Sequence, residues 1–275
     1  LAAILNIILD PILIFGLFGV PRMELQGAAL ATVLARFVTF VAALWVLHHR
    51  MHALSYEKPS LKRIAKSWNK ILHIGLPSTG TQLIVPVSMG ILTALVATFG
   101  SVAVAAYGVA TRIEMFALIV MMATTISMGP FVGQNAGAER IDRVRTAFRF
   151  SLQVCFVYGV IIAASLAMFR TGIAALFSDE EDVVRLASFY LLVVPISYPI
   201  MAVIGISSQT FNSLAKPIPA MVIGVCKSLV IQVPLAYAGA SLAGIAGVFV
   251  SMTLTTFIMA AVAFFWIQRT LRAKE

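Results

Sequence analysis

Apolar residues run along the chain in eight long stretches, about 1–19, 26–48, 70–99, 102–130, 145–169, 184–208, 217–238 and 242–267. Short polar or basic breaks separate them. A helix needs roughly 20 apolar residues to cross the hydrocarbon core of a bilayer, so the pattern predicts eight transmembrane helices. The third and fourth are long enough to protrude or tilt. One position breaks the pattern. In "NIILDPILIFG", Asn6 to Gly16, an aspartate sits in the middle of an otherwise greasy run. A lone carboxylate in such surroundings costs several kcal/mol unless something compensates it.

Composition agrees with a membrane protein. Of 275 residues, 60% are hydrophobic and 11% charged, with a mean hydropathy of +0.98. A soluble domain carries about twice that charge fraction. The 18 Gly and 11 Pro fit helices that tolerate both in a bilayer. The net charge of +9 gathers in the breaks between spans, and no basic groove with interleaved aromatics points to nucleic acid. Cys155 and Cys226 each lie inside an apolar helix, as packing residues rather than a disulfide or metal pair. The chain starts at Leu1 with no charged region ahead of the first apolar run, which reads as a fragment rather than a signal peptide.

Basic residues then orient the bundle. The break "HHRMHALSYEKPSLKRIAKSWNK" carries Arg50, Lys58, Lys62, Arg63, Lys66 and Lys70, and the break after span four carries Arg140, Arg143, Arg145 and Arg149. Lys216 and the tail residues Arg269, Arg272 and Lys274 fall on the same side. Fourteen cations there face three on the other, Arg22, Arg170 and Arg185, which predicts that the basic side is cytoplasmic. The long basic break, 50–69, reads as an inter-domain connector. Within it "LKRIAKSW" has the pattern of a short amphipathic helix at an anionic leaflet, and a solvated linker explains it as well.

An internal repeat separates scaffold from chemistry. "IILDPILIFG" (Ile7 to Gly16) aligns without gaps on "VIQVPLAYAG" (Val230 to Gly239), matching Pro11 with Pro234 and Gly16 with Gly239. A few residues on, Gly27 falls opposite Gly244. Spans one and two then copy spans seven and eight. The repeat unit is six helices, and an even number makes the two halves parallel. Two such units make twelve helices, so the N-terminal lobe is incomplete here. Residues 1–49 would close that lobe, 70–268 would form the second, and 269–275 a cytoplasmic tail. Asp10 matches Val233 and Asn6 matches Leu229, so the hairpin does not need the polar pair.

Asn6 and Asp10 are four apart and share one helix face. In low dielectric a carboxyl group holds its proton more firmly than in water, which suits a residue that loads and releases a coupling ion. An interhelical hydrogen-bond clamp explains the pair equally well. Pro11 removes a backbone donor and frees the Ile7 carbonyl, predicting a bend beside the carboxylate.

Several motifs together resemble the multidrug and toxic compound extrusion (MATE) family. They are "NIILDPILIFG…GAALAT" in spans one and two, "IGLP" at Ile74 to Pro77, "VAAYGVATRIE" at Val104 to Glu114 and "GPFVGQNAGAER" at Gly129 to Arg140. The resemblance runs over nearly the whole chain and implies helices five to twelve of a two-lobe exporter. It further implies antiport of small, often cationic or amphiphilic compounds against H+ or Na+, by a monomer working among membrane lipids without a cofactor. In one branch of the family an Asn and an Asp on the fifth helix and a Thr on the sixth form an ion-responsive cluster. These match Asn6, Asp10 and Thr32, and the resemblance favours coupling over the clamp, by a proton rather than sodium. Another branch uses a Glu and an Asp in the second lobe. Those positions fall near Pro86 and Ala202, neither of which ligates through its side chain.

Other polar residues inside the spans are cavity or ion-pair candidates. Arg112 and Glu114 are two apart and cannot face each other on a helix, so each must find another helix or a water-filled cavity. Arg36 lies one turn from Thr32 and would oppose proton exchange if it reached Asp10. Lys227, Gln82, Gln209 and Asn212 complete the set. Met115, Met121, Met122 and Met128 suit either a pliable binding surface or, more simply, helix packing. His48, His49 and His52 read as interfacial anchors rather than a metal site. No nucleophile–base pair, P-loop or zinc motif supports an enzyme. A lipid-linked precursor flippase shares the architecture, but it calls for a cationic cavity. The intramembrane cations here are only Arg36, Arg112 and Lys227. A non-transporting scaffold explains the topology but not Asp10.

Overall fold

A computed structural model describes residues 1–52 and 60–272, and the regular structure among them is helical throughout. The chain divides into two compact units, residues 1–65 and 66–275.

In the first unit α1 (Ala2–Phe15) and α2 (Glu24–His49) pack as a hairpin. Helix α1 stops short of the predicted residue 19 because Gly16 takes a left-handed conformation, φ 73°, with its N–H on the Ile12 carbonyl at 3.0 Å. A single 3-10 turn, Leu17–Gly19, then leads back, and the Met23 N–H donates to the Leu13 carbonyl at 3.1 Å. Gly27 lets the two backbones touch: a Cβ there would lie 2.5 Å from the Leu13 carbonyl oxygen. At the far end of α2, His49 stacks on Trp45 and bonds its carbonyl at 3.2 Å.

Helix α3 (Leu61–Ala97) begins well before the third predicted span. The basic stretch from Leu61 to Trp68 is thus the first two turns of that helix, not a separate surface helix. Lys58 and Pro59, and Lys274 in the tail, lie outside the described residues.

The second unit follows. The predicted fourth span is two helices, α4 (Ser101–Ala117) and α5 (Ile119–Gly137), which meet at 51°. The Ala117 carbonyl at the bend accepts a hydrogen bond from the Tyr158 hydroxyl of α6 (Ile141–Ala175) at 2.8 Å. A side chain that captures a ladder carbonyl is a recognised cause of a kink. The "VGQNAGA" motif occupies the last turns of α5. Its end is a Schellman cap, with Arg140 N–H on Asn135 O at 2.8 Å, Glu139 N–H on Ala136 O at 3.1 Å, and Glu139 at φ 59°.

Helix α7 (Glu181–Val193) passes through a 3-10 turn at Val194–Ser197 into α8 (Tyr198–Ser213). Helix α8 is central to the unit, packing against α5, α6 and the closing helix α10 (Gln232–Arg272). Tyr198, Phe148, Phe211 and Phe249 are fully buried around it. Between α9 (Pro217–Val225) and α10 the helix widens into a π turn, Cys226–Ile231. The dihedrals break again at Ala243 and Gly244, the second at φ 60°, which separates predicted spans seven and eight. Gly239 and Gly247 then meet backbone to backbone, with no room for a Cβ on either.

The two hairpins use one device with different residues. In the first, Gly16 turns the chain and Gly27 allows the close approach. In the second, Gly244 turns it, while Gly239 and Gly247 allow the approach. The aligned glycines exchange roles.

Four helical stretches among the described residues are long and apolar enough to cross a membrane: Glu24–His49, Ile141–Ala175, Glu181–Ser213 and Pro217–Leu271. The α4–α5 pair meets the same test across its bend. Large apolar side chains such as Phe37, Trp45, Phe156, Ile161 and Phe265 stand exposed, as lipid-facing positions do.

Candidate functional site

The sequence places two sets of intramembrane polar residues, one in each unit. In the first unit, Asn6 and Asp10 sit one turn apart on α1, both half-buried. Each has its Oδ1 buried without a hydrogen-bond partner among the described residues. Thr32 does not supply one, because its hydroxyl donates to the Ala28 carbonyl of its own helix at 3.0 Å. A hydroxyl in a helix readily bonds back to residue i−4, which keeps it from a neighbouring helix. Arg36 does not supply one either. It is exposed, and among the described residues it forms no ion pair. Pro11 lies inside α1, which stays helical through it, and its missing N–H leaves the Ile7 carbonyl without the usual partner. Within one turn the helix thus gathers a carboxylate, an amide oxygen and a carbonyl that Pro11 cannot bond. A proton or a small cation is what such a set of acceptors lacks.

In the second unit the polar residues gather around a cavity of about 330 Å³. Glu114 of α4 is half-buried on its wall and accepts a hydrogen bond from the Tyr190 hydroxyl of α7 at 2.5 Å. Tyr107 stands edge-on to Tyr190, with ring centroids 6.0 Å apart, and Tyr190 stands edge-on to Phe249 at 5.0 Å. The buried Tyr198 hydroxyl lies within the field of the Glu114 carboxylate but outside hydrogen-bonding geometry.

Lys227 lines the same cavity from the π turn. The turn closes with the Gln232 N–H on the Lys227 carbonyl, a five-residue step, and it brings Gln232 to the same cavity wall. Ser88 of α3 pins the turn by donating to the Ser228 carbonyl at 2.6 Å. Lys227 attracts Glu114 electrostatically, yet their charged atoms lie beyond the 4.0 Å of an ion pair. A second chamber of about 290 Å³ adjoins the first, with Lys227, Met201 and Ile204 lining both. It is open on one side: its other walls include Leu118 and the buried Met121 together with the exposed Met122 and Ile126 at the α4–α5 bend.

The remaining candidates are not brought together with these. Arg112 is exposed, on the side of α4 away from Glu114. Gln209 packs its amide against Gly129, and Asn212 keeps a buried Oδ1 without a partner; neither lines the two chambers. The side chain of Gln82 lies outside the described residues. Met128 is core, accepting the Ser151 hydroxyl at 3.2 Å, and Met115 is exposed. Among the described residues no three His, Cys, Asp or Glu side chains converge on a metal site.

Sequence reasoning missed Tyr190, Tyr198 and Gln232. A tyrosine inside an apolar helix was the available signal, because a buried hydroxyl must find a partner.

A family model described as MatE matches residues 77–238. The chain belongs to the MatE family, the family its motifs resemble. The FAD transporter of Shewanella oneidensis is 35% identical over 271 residues, covering 98% of this chain and 60% of that protein. The probable multidrug resistance protein YoeA of Bacillus subtilis is 27% identical, covering 86% of this chain and 52% of the relative. The crystal structure of the Vibrio cholerae MATE transporter VcmN in its bent form superposes with a TM-score of 0.88 at 31% identity, covering 99% of this chain and 61% of that one. The chain therefore spans about three fifths of the length of such relatives. MatE proteins are multi-pass membrane transporters rather than enzymes, and the exposed apolar faces and intramembrane polar clusters of this chain fit that setting.

Proposed function

We propose that this MatE chain works in a cation-coupled antiporter that exports small organic compounds from the cytoplasm, with a proton as coupling ion in preference to sodium. The observation that carries the reading is the pair of partnerless buried acceptors on Asn6 and Asp10, one turn apart on α1. A single proton neutralises Asp10 and gives it a donor for a neighbouring oxygen, whereas a sodium ion asks for more oxygen ligands in fixed geometry. Pro11 weakens the helix next to that switch and can turn a change of charge into a change of bend. Basic residues of the breaks lie on the cytoplasmic side of the plasma membrane, by the charge asymmetry of the sequence. The N-terminal lobe, of which residues 1–49 are the last two helices, and the lobe of residues 70–268 alternate access to the drug, and the protein acts as a monomer among lipids.

The names of the relatives support two substrate classes. Multidrug resistance proteins such as YoeA suggest cationic or amphiphilic drugs. The 35%-identical relative is named an FAD transporter, which adds flavin nucleotides.

The test is efflux by the full-length protein in proteoliposomes, with a fluorescent cationic drug inside and an imposed gradient of pH or of sodium. Efflux driven by the pH gradient, with sodium adding little, is the expected outcome. Efflux indifferent to both gradients would remove the coupling reading.

A further inference from the structure

We infer that the twin chamber of unit 66–275 is a second ligand site, one that takes amphipathic organic anions. The two charged groups on its wall are not equally satisfied. Glu114 already accepts the Tyr190 hydroxyl at 2.5 Å. The Lys227 ammonium carries three donors and, among the described residues, has neither a hydrogen bond nor an ion pair. A half-buried ammonium without an acceptor is a standing free-energy cost, and an acidic ligand group removes it.

The backbone prepares the position. An ordinary helix would turn Gln232, five residues on, away from Lys227. The π turn returns it to the same cavity, so an ammonium and an amide face one space. The Ser88 bond to Ser228 holds that turn in place. Local widening of a helix is frequent at functional sites.

The second chamber supplies the rest of the recognition. Lys227 stands where the two spaces meet, and beyond it the walls are Leu118, Met121, Met122 and Ile126, with Met201 shared. Thioethers conform to ring systems of varied shape. An acid group at Lys227 thus puts the attached apolar body among the methionines. A simple cation would meet the ammonium instead, and a small inorganic anion would leave the apolar chamber empty. On the export reading such an anion is cargo, and the site itself uses no residue of the first unit.

The probe is 8-anilinonaphthalene-1-sulfonate against its uncharged parent, N-phenyl-1-naphthylamine. Both are titrated by fluorescence into the purified full-length protein, with empty micelles subtracted. Wild type is expected to bind the sulfonate about tenfold more tightly than the parent, the effect of one charge-assisted hydrogen bond. Lys227→Met loses that preference but still binds the parent, which shows the chamber intact, and Lys227→Arg keeps it. No preference in wild type, or a preference retained by Lys227→Met, would overturn the inference. If Lys227→Met does not fold, Lys227→Gln, which keeps a polar side chain without the charge, decides by the same two outcomes. Asp10→Asn leaves the preference unchanged even where it stops export, so the two readings fail separately.

Discussion

Asp10→Asn is expected to abolish gradient-driven export while leaving the protein folded. The substitution preserves shape and removes the one group on α1 that exchanges a proton. Efflux down an imposed pH gradient should fall by about tenfold or more, as for loss of an intramembrane ionisable residue with a functional role. Passive exchange of labelled drug across the same vesicles should persist, because the amide does not block a path. Stability argues the same way. Asp10 buries one carboxylate oxygen without a partner among the described residues, which is a cost to the hairpin, and an amide is cheaper to bury, so Tm should hold or rise. A variant that is stable and uncoupled would place Asp10 on the functional side of the ledger. A variant that unfolds would make it the hydrogen-bond clamp that the sequence also allowed.

Gly247→Leu should do the opposite, destroying the fold of the second unit. The backbones of α10 meet at Gly239 and Gly247 on either side of the Gly244 turn, and even a methyl group has no space. Where the obstructing atoms are backbone, no side chain can yield, and the hairpin must splay. Overpacking of this kind costs about 1–3 kcal/mol at the low end, and a leucine exceeds the methylene for which that range is typical. Small residues at such crossings hold membrane helices together. The measurement is the fraction of monodisperse protein recovered in mild detergent, with Gly108→Ala as control. Gly108 has nothing within 4 Å of a Cβ, so alanine there should be neutral or mildly stabilising through helix propensity. Equal recovery of both variants would show that the glycine contact does not hold the hairpin.

Much of this was legible in the pattern of apolar runs. Span positions follow from length and hydropathy alone, and the breaks at Gly16, Gly100, Ala215 and Gly244 fall where the runs end. The bend at Leu118 was not legible, because its cause is a hydroxyl forty-one residues away, Tyr158, acting on a backbone carbonyl. Asp10 announced itself by being the wrong residue in a greasy run, and the repeat isolated it further by offering Val233 as its twin. The same comparison paired the glycines without their roles: it matches letters, and whether a glycine turns a chain or admits a neighbour depends on the partner helix. Glu114 and Lys227 were visible as charges, but 113 residues part them, and no local spacing reveals that they share a cavity. Tyr190 and Gln232, which complete that wall, are ordinary residues until the π turn and the α4–α7 packing give them a role.

The most direct test of the account is proton release on drug binding by the full-length protein in weakly buffered detergent solution. If Asp10 exchanges its proton for a cationic drug, linkage requires wild type to release up to one proton per drug bound, by an amount that changes with the starting pH, and Asp10→Asn to release none while still binding. Equal release from both proteins would contradict the central role given to that carboxylate.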